Sequence, residues 1–253
     1  MHELMRRVAA IWVVLCLLLT ACHQRGDEIM LEGDFQGGGS QMVRLALVGT
    51  DETVMLDSVR MKNGHFSFAL KAHSDQEKER MATPMLYQIK LSENNALTTI
   101  ARGGEHLHFT ADAADIVSTY RVSGSEEAFL VCQLDSALAS FAQKAEQWYA
   151  VYEQNIENDS VRADVEAHYV QAVEAHTDFL RDFIQKHPHN MASFMAFFQS
   201  YNRRIFLNND ENADLLREII RNVQQQYPDN PYILFMQQKQ EILELKQQQY
   251  DTH

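Results

Sequence analysis

Three kinds of side chain in this sequence have chemistry beyond packing: the cysteines, two closely spaced histidines and several adjacent carboxylates. His106 and His108 stand two apart beside Glu105, a spacing that puts both imidazoles on one face of a strand. Such a pair can share a zinc or copper ion. The competing reading is the wet face of a half-exposed strand, because no third ligand lies within sequence range. Cys132 falls about two turns into a predicted helix, where a small buried hydrophobe is the simpler reading. A reactive thiol would need exposure and a lowered pKa. The pairs Glu126-Glu127 and Asp210-Glu211 sit at predicted helix starts, where capping and the helix dipole account for them. Trp148, Tyr149 and Tyr152 share one helix, and their spacing favours a core stripe over a sugar-stacking platform. There is no Gly-x-Ser-x-Gly elbow, no Ser-x-x-Lys set with supporting motifs, no phosphate loop and no dinucleotide fingerprint. No catalytic constellation is legible, and no cofactor is implied.

Cys22 is the exception. Arg6 and Arg7 precede Val8 to Ala21, 14 residues without a charge. That is too short for a membrane-spanning helix, which needs about 20 residues. A positive start and an apolar run of this length make a secretory signal. Leu19-Thr20-Ala21-Cys22 resembles the bacterial lipobox: a branched apolar residue, two small ones, then Cys. The resemblance implies cleavage between Ala21 and Cys22 and a diacylglycerol on the Cys22 sulfur. Acylation of the new amino group would give the two or three chains that stable anchoring requires. The small residues let a peptidase approach the backbone closely.

Composition agrees with that placement. The chain has 253 residues, 22 Lys plus Arg against 35 Asp plus Glu, and a formal charge of −13. Loss of residues 1–21 removes Glu3, Arg6 and Arg7, leaving 20 basic and 34 acidic residues and a charge of −14. An acidic balance argues against nucleic acid as a partner. Cys16 goes with the leader and Cys22 becomes the anchor, so Cys132 is the one remaining thiol and no internal disulfide is expected.

The elements that must position these residues fall into two halves. From Ile29 to Val122 the apolar period is two, at Ile29/Leu31, Val43/Leu45/Leu47, Val54/Leu56, Phe66/Phe68/Leu70, Tyr87/Ile89/Leu91 and Leu107/Phe109. That pattern predicts seven or eight strands, each with one buried and one wet face. Asn63-Gly64 signals a hairpin turn, and Gly37 to Ser40 and Gly103-Gly104 mark others. Residues 72–83 read as a charged, mobile loop. From Ser125, a capping residue, the period becomes helical through Leu130, Leu134, Leu138, Phe141 and Trp148. A second helix opens at Asp159-Ser160 and stops before Pro188. A third starts at Asn190 and carries Phe194 to Tyr201. Residues 211–226 form a fourth, and Asn230-Pro231 opens the last. His187-Pro188-His189-Asn190 and Tyr227-Pro228-Asp229-Asn230 echo each other forty residues apart. Turn chemistry and a helical repeat explain that echo equally. The fold class is therefore α+β: an antiparallel β-sandwich or barrel-like domain over 28–125, after a tether at 22–27, then an antiparallel helical bundle over 126–253.

A family resemblance rests on several of these stretches. They are Asp57-Ser58-Val59-x-x-x-Asn63-Gly64-x-Phe66-x-Phe68, Pro84-x-x-Tyr87-x-Ile89, Gly103-Gly104-x-x-Leu107-x-Phe109, Val122 to Ser125, and Phe183-Ile184-x-x-His187-Pro188-x-Asn190. Together they resemble the Bacteroidetes-type lipoproteins whose domain of unknown function precedes a TlpA-, ResA- or AhpC-like thioredoxin domain. The likeness covers about residues 28–250. In the long members of that family a Cys-x-x-Cys pair after the helices exchanges thiols and disulfides. This sequence reaches His253 without one, so that activity is not carried over. The expectation is a non-catalytic lipoprotein of the cell envelope, the outer membrane favoured, that binds a protein partner. The alternative is an accessory part in envelope thiol–disulfide chemistry beside a separate thioredoxin-like protein.

Overall fold

The computed structural model describes residues 26–207 and 211–251. Eight strands come first: β1 (Glu28–Gln36), β2 (Met42–Val48), β3 (Thr53–Arg60), β4 (His65–Lys71), β5 (Met85–Ser92), β6 (Asn95–Ala101), β7 (His106–Asp112) and β8 (Arg121–Ser123). They make two four-stranded sheets, ordered β4-β1-β7-β8 and β3-β2-β5-β6. Ile29, Leu31, Phe68 and Leu107 of the first sheet and Leu45, Ile89 and Leu97 of the second join one buried cluster. The alternation that puts these residues inside leaves Glu32, His65 and His106 on the outer face.

Pairing differs from the expected all-antiparallel pattern in two respects. β1 and β7 run parallel, with Leu31 beside Leu107 and Gly33 beside Phe109. The Asn63-Gly64 turn has the positive φ values that its sequence demands, 53° and 84°. Yet it holds a single bridge, Lys62 to His65, and delivers the chain from one sheet into the other. Turn chemistry is local, whereas the choice of strand partner depends on which faces the whole chain buries. β3 is also unlike its neighbours. It is an edge strand exposed from Thr53 through Ser58, so Val54 and Leu56 do not face the core.

Residues 72–83 contain a helix, α1 (Asp75–Met81). Ser74 Oγ accepts from the Glu77 amide at 3.2 Å, and Glu77 Oε2 accepts from the His73 amide at 2.6 Å. This is close to a capping box, and buried Met81 ties the helix to the core. A short helix α2 (Ile116–Thr119) precedes β8.

Gly124 joins the strand-rich half to the helices. Its φ is +97°, and a Cβ there would lie 1.8 Å from the His106 carbonyl oxygen, so only glycine fits. Ser125 then caps α3 (Glu126–Gln154), and Asn158 caps α4 (Asp159–Lys186). The third predicted helix is shorter than its apolar run suggested. α5 (Met191–Phe197) ends before Tyr201, which belongs to a small hairpin of β9 (Ser200–Tyr201) and β10 (Arg204–Ile205) turning at Asn202 with φ 53°. α6 (Ala213–Gln226) and α7 (Pro231–Asp251) complete the chain. The two echoing segments share one turn, in which the Asn190 and Asn230 amides each donate to the carbonyl three residues back at 3.1 Å. The core cluster runs without a break from the sandwich into Leu134, Leu180, Phe197 and Ile220 of the helices.

Candidate binding clefts

Residues 1–25, including Ala21 and Cys22, lie outside the described residues. His106 and His108 share the outer face of β7 as expected, but each meets a carboxylate rather than the other. His106 Nε2 lies 2.9 Å from Glu32 Oε1. His108 Nε2 and His65 Nδ1 each lie 2.9 Å from Asp34, one on either carboxylate oxygen. β1 carries the acids between two histidine-bearing strands, a juxtaposition made by the parallel pairing. Hydrogen bonds to His108 and then His65 hold the Asp34 carboxyl below its usual range. Among the described residues, no group of three or more His, Cys, Asp or Glu side chains is arranged to hold a metal ion.

Cys132 is buried and its thiol donates to the Tyr120 carbonyl at 3.4 Å. Burial pushes its pKa up, opposite to what a reactive thiol requires. Of the adjacent carboxylates, Glu127 is buried and serves as a cap for a different helix, whereas Glu126 is exposed. Asp210 lies outside the described residues.

Two clefts among the described residues are large enough to take a small molecule. The first, about 500 Å³, opens where β2 and β5 meet α3, α5 and α7. Leu86, Leu134, Phe194, Phe198 and Met236 give it apolar walls, and Asp135 is the one carboxylate on its lining. The Tyr120 hydroxyl donates to Asp135 Oδ2 at 2.7 Å. Burial raises the Asp135 carboxyl to about 6 against the lowering effect of that bond. Apolar walls with a few polar side chains, among them Asp135, Gln199 and Thr50, suit a largely apolar ligand that makes a few hydrogen bonds. Asp135 was invisible in the sequence because it reads as one more polar residue on an amphipathic helix.

The raised pKa has a sign that can be measured. The unfolded carboxyl titrates near 3.8 and the folded one near 6, so the folded form loses stability as pH rises through that window. Asp135→Asn keeps an acceptor for Tyr120 and removes the charge. It is expected to stabilise the protein by about 1–2 kcal/mol at neutral pH and by almost nothing near pH 3.5. Thermal unfolding of both proteins across pH checks this, and equal shifts at all pH would refute it.

The second cleft lies between α3 and α4, bordered by the β9–β10 hairpin, and encloses about 850 Å³. Trp148, Tyr149 and Tyr152 do not form the expected core stripe. Trp148 and Tyr152 are half-buried and Tyr149 is 65% exposed. With Tyr169 and Tyr201 they line this cleft instead. Helical spacing identified their shared face, but not whether another element would cover it. Below the cleft, His176 sits among Phe141, Phe179 and Phe206, with ring centroids 5.4, 5.8 and 4.4 Å away. Its Nε2 lies 2.8 Å from Gln199 Oε1, and Gln199 Nε2 donates to the Leu134 carbonyl at 3.2 Å.

Among the described residues, no helix is long and apolar enough to cross a membrane. Compared with protein-family models, curated proteins and solved structures, the chain matches none.

Proposed function

We propose that this chain is a lipid-anchored lipoprotein of the cell envelope that works by binding rather than by catalysis. Two features of the N-terminal sequence support the anchor: the charged start with its 14-residue apolar run, and Leu19-Thr20-Ala21-Cys22 at the end of that run. The resemblance to Bacteroidetes-type lipoproteins points the same way. The observation that carries the binding part is the junction cleft. Its walls come from both halves of the molecule, and its one carboxylate, Asp135, is held by the Tyr120 hydroxyl. A lipid tether at Cys22 would hold this body against a membrane while leaving the cleft in water.

Cell fractionation of a Cys22→Ser variant tests the reading. The wild-type protein is expected in the membrane fraction and the variant in the soluble one. A variant that stays with the membrane sinks the anchor.

A further inference from the structure

The cleft between α3 and α4 has the composition of a site for an organic cation. Its lining holds five aromatic rings, of Trp148, Tyr149, Tyr152, Tyr169 and Tyr201, and two carboxylates, Glu146 on α3 and Glu166 on α4. Both carboxylates are exposed, and among the described residues neither forms an ion pair. Among the described residues, no Lys, Arg or His lines the cleft. Glu153 adds a third acid nearby, since its charge and hydrogen bond raise the pKa of the Tyr149 hydroxyl.

Positive groups do lie around the site, and their positions matter. His168 stacks on Trp148 at 6.3 Å between centroids and hydrogen-bonds the Asp164 carbonyl. Arg162 pairs with Asp159, and its guanidinium stands 5.9 Å over the Tyr152 ring. Arg203 and Arg204 belong to the bordering hairpin and are exposed, and Lys144 is exposed on α3. None of these makes an ion pair with Glu146 or Glu166. Arg162 over Tyr152 shows one ring of the cleft already taking a cation on its face.

We infer that this cleft binds a linear polyamine, its methylene stem against the rings and its ammonium groups at Glu146 and Glu166. Aromatic faces attract cations through the ring quadrupole, more strongly where water is displaced. Two uncompensated carboxylates on a chain of charge −13 add Coulomb attraction, and they lie on the two helices that flank the cleft. A volume of about 850 Å³ far exceeds one ammonium group, which favours an extended molecule with charges at separated points. A neutral oligosaccharide would also stack on the rings, but it leaves both carboxylates without a countercharge. The inference uses a different cleft from the junction site and does not depend on the anchor.

The protein carries its own reporter. Its two tryptophans are Trp12 and Trp148, so in the full chain with Trp12→Phe all tryptophan emission comes from the cleft. Spermidine is expected to change that emission saturably. Glu146→Gln with Glu166→Gln, both at exposed positions, is expected to weaken binding about tenfold or more, as is raising the salt. Three results would overturn the inference: no saturable change with spermidine, equal affinity in the double variant, or saturation by maltotriose in place of spermidine.

Discussion

Glu127→Ala is expected to lower stability by about 3 kcal/mol, a drop of roughly 6–12 °C in melting temperature for a chain of this size. Glu127 stands in the first turn of α3, where a carboxylate already suits the dipole. Its side chain is only 7% exposed and does something more specific. Its two oxygens accept from the Met191 and Ala192 amides, each at 3.0 Å. Those amides open α5, whose own N-cap residue, Asn190, supplies no side-chain bond. Glu127 therefore caps a helix 64 residues further along the chain. Alanine would strand two buried donors, and each such loss costs about 1–3 kcal/mol. Glu127→Gln retains one acceptor oxygen and turns its NH₂ toward the other amide, so about half the loss is expected. If urea unfolding shows alanine and glutamine equally mild, the cap does not matter.

The same residue gives a pH signature. Burial raises its carboxyl from 4.5 to about 6, although both amide bonds pull the other way. The folded pKa is above the unfolded one, so stability is highest below about 4.5 and declines as pH rises through 6. Wild-type protein should therefore gain stability from this group between pH 7 and pH 5. The alanine variant should lose that part of the slope and keep the part due to Asp135.

These effects show where sequence reasoning reaches and where it stops. Leu31, Phe68, Ile89 and Leu107 were legible as strand interiors because each strand buries one face, and alternation records that directly. The starts of α3 and α7 were legible in the same local way, through Ser125 and Asn230-Pro231. Ser74-x-x-Glu77 carried a comparable signal for α1, masked by the charge of the surrounding segment. What local patterns cannot record is partner choice. The parallel β1–β7 pairing sets Asp34 between His65 and His108, and no spacing within one strand announces it. Glu127 reads as an ordinary dipole acid because its partners are far along the chain. Tyr149 has core spacing, yet among the described residues no element covers it, and an aromatic cleft results.

Asn230→Ala is expected to cost about 3 kcal/mol, and Asn230→Asp to cost much of that as well. Asp is normally an equal substitute at a helix N-cap, so its failure here is the informative result. Asn230 is fully buried. Its Oδ1 accepts from the Tyr232 and Ile233 amides at 3.1 and 3.3 Å, which is the cap itself. Its Nδ2 donates to Thr83 Oγ1 at 3.0 Å and to the Pro84 carbonyl at 2.9 Å, which pins α7 to the approach to β5. A carboxylate would keep the cap and lose both donations. Thr83 can turn its hydroxyl to donate instead, but the Pro84 carbonyl would face a buried anion. Two residues on, the Tyr232 hydroxyl bonds the Val48 carbonyl and accepts from the Leu86 amide, so the clamp continues into β2 and β5. Tyr232 and Met236 of the same helix line the junction cleft. Loosening Asn230 should therefore free α7 before the rest of the protein unfolds, visible as faster amide exchange at Tyr232 and Ile233 in the Asp variant. Unchanged exchange there, with an aspartate as stable as wild type, would reduce Asn230 to a simple cap and leave the docking of α7 to its apolar face alone.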